Sequence, residues 1–208
     1  MRGGDTSQVH DRPTRRRLSV EDRRSELVAA CLRLIGTRPW DEVTMSDVAK
    51  EAGASKPLLY HYFSTKIDLY RATVRSTADE LREVTRPDPR LPIGPRMRAA
   101  LDAHLEWIEE NSLAYRAIVQ GGISSDNEVL AIVDESRNET VLRLAVAFGF
   151  ADPSPAERIA LRGWVGYLES ASLEWLKTTA VTRDHFAQML EASVAGALRA
   201  ARVARPSP

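Results

Sequence analysis

Between Thr44 and Lys66 the chain carries three helix-start signals with one stop among them, a punctuation that permits only short helices turned sharply on one another. Met45, Val48, Ala49 and Ala52 recur at i, i+3, i+4 and i+7, the spacing of one helical face. Thr44 precedes that face and Asp47 follows three residues later, so each side chain can cap the backbone N–H of the other. Gly53 then ends the helix, because glycine adopts the left-handed conformation of a helix terminus at little cost. Ser55 caps the next helix, and Pro57 falls in its first turn, where no helical hydrogen bond is lost. Leu59 and Phe63, four apart, supply its inner side. Thr65 with Asp68 repeats the capping-box spacing and opens a third helix at once, with Lys66 in its first turn.

A helix, a short glycine turn and a second helix form the helix-turn-helix pattern, whose second helix enters the DNA major groove. The competing reading is an ordinary helical hairpin in a bundle. The surface of the second helix decides for DNA. A hairpin that only packed would show solvated Glu and Lys, whereas Lys56, Leu58, His61 and Tyr62 face outward or sideways and Tyr60 lies near the boundary. A lysine and phenolic hydroxyls on a short exposed helix suit phosphate oxygens and base edges. Lys66 at a helix N-terminus, already favourable to anions, is expected to clamp a phosphate.

The run T-x-S-D-V-A-K-E-A-G-A-S-K-P-L-L-Y-H-Y-F-S-T-K-I-D-L resembles the DNA-binding segment of the tetracycline-repressor (TetR) family. Gly53, Ser55, Leu59, Tyr60, Tyr62, Phe63 and Lys66 stand at that family's characteristic positions, and the resemblance spans residues 20–82, weakening beyond. Leu58 departs from it. The family more often has a small or hydroxylated residue there, so contact with a thymine methyl is expected in place of a polar base contact. The resemblance implies an all-α protein: an N-terminal three-helix helix-turn-helix domain over 19–82, and a larger C-terminal helical bundle over 83–208 for ligand binding and dimerisation. It further implies a ligand-released repressor on a palindromic, double-stranded DNA operator. Lys56, Leu58, His61 and Tyr62 would then approach bases, and Pro57 would meet a thymine methyl or fix the docking angle. Thr44, Ser46, Tyr60 and Lys66 would hold phosphates, and Ser55 completes the DNA-binding set.

Composition bounds the rest. At 208 residues and 43% hydrophobic, the chain can form one medium domain or a small head on a larger body. Zero formal net charge excludes a wholesale basic nucleic-acid protein, yet residues 1–75 hold 14 Lys/Arg against 10 Asp/Glu and the remainder 15 against 19. A mildly basic head on an acidic body suits local docking. Cys31 is the sole cysteine, which excludes a disulfide framework and a cysteine metal site and marks it as a core residue. No apolar run approaches the ~20 residues that span a bilayer, and the N-terminus carries no hydrophobic secretory stretch, so no membrane partner and a cytoplasmic location are expected. Residues 1–18, ending in Arg15, Arg16 and Arg17, read as an arm disordered on its own, which either contacts DNA or is a solvated tail. No glycine-rich phosphate loop, nucleophile elbow or paired-histidine spacing occurs, and His10, His61, His104 and His185 lie in four separate segments. Neither catalysis, nor a metal, nor a cofactor is expected.

Helical periodicity continues to the end, with no alternating strand pattern. Helices are predicted from Ser19 to Gly36, from Lys66 to Thr85, from Arg96 to Asn111, from Leu113 to a Gly121–Gly122 stop, and from Asn127 to Phe148. Ser154, Pro155 and Glu157 start one that should reach Thr179, and Thr182 or Asp184 starts the last, to Arg202. The last two interleave small residues (Gly163, Gly166, Gly196 among them) with large ones (Trp164, Tyr167, Trp175, Met189 and Leu190 among them). The resemblance implies a homodimer through them; packing within one protomer is the alternative. It also implies a pocket between head and dimer interface for a small apolar or amphipathic effector, with His104, Trp107, Tyr115 and Trp164 as candidate lining and Glu106, Glu169 and Gln120 as polar groups. Each of these also reads as core. Effector binding would shift the Lys66–Thr85 helix. A ligand-independent regulator, and a helical binding protein that never touches DNA, remain the other readings.

Overall fold

A computed structural model describes residues 19–119 and 126–203. The arm with Arg15–Arg17, Gln120, the Gly121–Gly122 stop and the Pro-containing tail lie outside the described residues. The described chain is helical without strands: α1 (Val20–Ile35), a 3-10 turn (Trp40–Glu42), α2 (Met45–Glu51), α3 (Lys56–Tyr62), α4 (Lys66–Val84), α5 (Ile93–Glu110), α6 (Ser112–Val119), α7 (Asn127–Ala147), α8 (Pro155–Trp175) and α9 (Arg183–Val203).

The capping logic holds in detail. Reciprocal boxes close α1 (Ser19 with Asp22), α2 (Thr44 with Asp47), α4 (Thr65 with Asp68) and α8 (Ser154 with Glu157), and the Ser55 hydroxyl accepts from the Leu58 N–H at 3.3 Å. Gly53 sits at φ +60°, where an L side chain is strained. Two boundaries differ from expectation. α5 starts at Ile93 rather than Arg96, because Pro92 is its N-cap and Pro95 occupies the first turn, where the missing N–H costs nothing. α8 stops at Trp175 rather than Thr179: the Trp175 indole N–H donates to the Val181 carbonyl at 2.9 Å, folding the chain back into α9.

Two cores result, and α4 belongs to both. The head core joins Leu27 and Cys31 of α1, Val43, Val48 of α2, Leu59 of α3 and Leu69 and Val74 of α4, nearly all without exposure. Val129 and Ile132 of α7 complete it, so a head that would bury little surface alone is buttressed by the body. Burial pushes the Cys31 thiol up to about 11, which leaves it an unreactive core group. The body core joins α5, α6, α7, α8 and α9 around Leu105, Ile108, Leu161, Trp164 and Leu190. α4 is also tied to α7 along its length by Arg71–Asp126 (2.8 Å), Arg75–Glu135 (3.2 Å) and Arg82–Glu139 (2.8 Å). Asp126 caps α7, so the first of these ties fastens the head directly to a helix start in the body.

Candidate DNA-reading face and ligand cavity

α3 buries Leu59, with Phe63 just beyond its end, and turns its other faces outward. Lys56, Pro57, Tyr60 and His61 are exposed, Tyr60 more than the boundary position expected of it, while Leu58 and Tyr62 are half-buried. The Tyr62 ring packs partly on the head core and meets His61 edge-on at 5.4 Å. Ser46 is exposed at the start of α2. The hydroxyl of Thr44 accepts from the Asp47 N–H and donates to the Asp47 carboxylate, and that of Ser55 is the α3 cap, so both build the turn before they can touch anything else. The Thr44 hydrogen bonds, aided by Arg38 at 2.8 Å, hold the Asp47 carboxyl below its usual range.

Lys66 requires a correction. Its ammonium points inward, donating to the backbone carbonyls of Trp40 (2.7 Å) and Asp41 (3.2 Å) and lying 4.4 Å from the centre of the Trp40 ring, which itself packs on Tyr70. In this arrangement the ammonium is turned onto the protein's own carbonyls rather than outward from the helix N-terminus. It is a strut that locks the 3-10 turn onto α4, a role readable only once Trp40 is known to fold back over it.

In the body, α4, α5, α6, α7 and α8 enclose a cavity of about 170 Å³. His104, Trp107, Tyr115 and Trp164 all line it, as does Glu169; Glu106 does not, being exposed on the outer side of α5 beside Arg183. The indoles are held from behind: Trp107 donates to Glu80 at 2.8 Å, and Trp164 to Ser193 Oγ at 2.9 Å and the Leu190 carbonyl at 3.2 Å. His104 and Tyr115 meet edge-on at 5.9 Å; His104 Nε2 is buried without a hydrogen-bond partner among the described residues, and the Tyr115 hydroxyl lies beside that of Ser172. Burial holds the His104 imidazole down at about 4, hence neutral near pH 7, and raises the Tyr115 phenol far above its ordinary range. A buried imidazole nitrogen left unpaired on an apolar wall is costly unless something in the cavity reaches it. Sequence reasoning missed the arginines of this wall, Arg82, Arg96, Arg137 and Arg143. Arg143 was visible as the one charge in the apolar run V-L-R-L-A-V.

A third feature lies on the outside. Ile159, Gly163, Gly166 and Tyr167 on α8, and Met189, Ala192 and Gly196 on α9, are exposed at helical spacing. A Cβ placed on Gly163, Gly166 or Gly196 would meet nothing within 4 Å. Of the large residues expected on the last two helices, Tyr167 and Met189 share that surface, whereas Trp164, Trp175 and Leu190 are buried inside the protomer.

Residues 27–73 match the profile of the bacterial regulatory proteins of the tetR family, and residues 93–196 that of a tetracyclin repressor-like C-terminal domain. The chain belongs to the TetR family. It is 30% identical over 165 residues to the HTH-type transcriptional activator FasR of Mycolicibacterium smegmatis, covering 77% of this chain and 75% of that one. The HTH-type transcriptional regulator BetI of Agrobacterium fabrum is 33% identical over 144 residues, 66% and 69% of the two chains. A tetR-family regulator from Streptomyces coelicolor superposes with a TM-score of 0.81 at 26% identity, covering 90% of this chain and 85% of that one. As a member, this TetR-family chain is a helix-turn-helix transcription regulator that binds DNA. No described helix is long and apolar enough to cross a membrane, and no cluster of three or more metal-ligating side chains occurs among the described residues.

Proposed function

We propose that this TetR-family regulator is a ligand-released repressor that acts in the cytoplasm as a homodimer on a palindromic operator. The observation that carries this reading is the double membership of α4, which shares the head core with Leu59 of α3 through Leu69 and Val74 and walls the cavity from Val74 to Thr85. Whatever fills the cavity meets the helix that sets the position of the reading face. The effector shifts the helix only by its differential affinity for the two arrangements. Lys56 and His61 read base edges, Leu58 and Pro57 meet thymine methyls, and Ser46 and Tyr60 hold phosphates. Open glycines in two long helices support the dimer: exposed mid-helix glycine is unfavourable, and close approach of a second copy gives it a use.

The test is a gel-shift with DNA flanking the protein's own gene, followed by titration of candidate effectors. Specific binding, weakened by a cavity ligand, is expected. Absent binding even at low salt would favour a helical binding protein, and binding that no ligand alters would favour a ligand-independent regulator. One observation supports the opposite sign: the FasR relative is named an activator. Transcription from the bound promoter in vitro, falling on addition of the protein, distinguishes repression from activation.

A further inference from the structure

The effector reading explains an apolar wall but not the charges set into it. Four arginines line the cavity, and carboxylates neutralise two. Arg137 holds Glu169 through two nitrogens, at 2.9 and 2.7 Å, and Arg82 pairs with Glu139 and Asp79. The other two have no carboxylate within 4 Å among the described residues. Arg96 donates to the carbonyls of Leu91 (2.7 and 3.0 Å) and Pro89 (2.8 Å). Arg143 donates to the Arg82 carbonyl at 3.0 Å and the Thr140 hydroxyl at 3.3 Å. The nearby acids already have partners, Glu139 with Arg82 and Glu83 with Arg86. Glu139 and Glu83 favour the Arg143 charge from beyond 4 Å, yet burial outweighs them and lowers its guanidinium from the ordinary range. Both arginines stand at the end of the cavity where α4 finishes and α5 begins. His104, with its unpaired nitrogen, lies eight residues further along α5, roughly 12 Å at the helical rise.

We propose, building on the effector reading above, that Arg96 and Arg143 bind the oxyanionic head of an amphipathic effector whose apolar chain runs along the cavity toward His104 and Tyr115. A planar guanidinium fork matches a carboxylate in two contacts, and lysine would not. Head binding also has a consequence for α4. The Arg82 carbonyl is in its last turn, where a cation is favourable, and Arg143 supplies that cation. An anion competing for the same guanidinium loosens the C-terminus of the helix that carries the reading head.

The experiment measures binding of octanoate, octan-1-ol and octylammonium to the full-length protein by calorimetry, with operator affinity followed in parallel. Wild type, Arg143→Met, Arg143→Lys and Arg96→Met are compared. Octanoate binds at least about tenfold more tightly than the alcohol, the ammonium is weakest, and each methionine variant loses the carboxylate preference while still taking the alcohol. Arg143→Lys recovers only part of it. Should Arg143→Met fail to fold, Arg96→Met decides, since Arg96 contacts only loop carbonyls. Equal affinity for alcohol and carboxylate, or a preference that survives in both methionine variants, overturns the proposal and leaves the effector reading standing. Failure of all three amphiphiles to bind, or binding that leaves operator affinity unchanged, overturns the effector reading and this proposal with it.

Discussion

The head and the body of this regulator use polar groups in opposite ways. In the head, the Thr44, Ser55 and Thr65 hydroxyls all close helix ends, and the Lys66 ammonium ties the 3-10 turn to α4. Little is left for a ligand except the outward side chains of α3. In the body, His104 Nε2 is buried without a hydrogen-bond partner among the described residues, and Arg96 and Arg143 line an apolar cavity with no carboxylate within 4 Å among those residues. Arg38 Nε is also buried without a partner in the head, but it is not among the residues lining the cavity, whereas the body sets its unpaired imidazole and its arginines around one.

The contrast can be broken at several points, the largest effect first. Leu59 has no exposure and pins α3 to the head core, so Leu59→Ala should cost about 2–5 kcal/mol and abolish operator binding. Urea unfolding checks it, and a loss below about 1 kcal/mol would mean that the head core is not the rigid unit described. His104 comes next. Its folded pKa, about 4, lies below the unfolded value near 6.5, so the unfolded state binds the extra proton. The stability from keeping it neutral is complete above about pH 6.5 and is lost as pH falls toward 4. Between about pH 7 and 5 the protein should lose roughly 2 kcal/mol that His104→Gln does not lose. Identical pH profiles for the two proteins would contradict that burial.

Lys66→Met is expected to cost about 1 kcal/mol of stability and leave the salt dependence of DNA binding unchanged. A fall of about one unit in the salt slope would return Lys66 to the phosphate-clamping role that its position in the chain suggested. The smallest effect is at Gly166. Gly166→Ala should stabilise an isolated protomer by roughly 0.5–1 kcal/mol but weaken a close-packed dimer, so unfolding midpoints at low and high protein concentration should shift in opposite directions.

Legibility in the sequence followed the same division. Capping boxes at Thr44, Thr65 and Ser154, and the positive φ of Gly53, were readable because donor and acceptor lie within three or four residues. The four aromatic and imidazole side chains of the cavity wall were readable as large groups on inward helix faces. What was missed depends on contacts far apart in the chain. Lys66 finds Trp40, Trp164 joins α9 within its own protomer, and Arg143 reaches back to Arg82. Charge on a helix face reads as solvated until the opposite wall is known.

The central claim is that the exposed side chains of α3 read sequence. It is tested most directly by measuring the affinity of the Lys56→Ala/His61→Ala double variant for the operator and for unrelated DNA of equal length. The account predicts an unchanged melting profile, near-normal affinity for unrelated DNA, and loss of operator preference by about 2–6 kcal/mol, one good base contact for each side chain removed. A double variant that still prefers the operator as strongly as the native protein would contradict it.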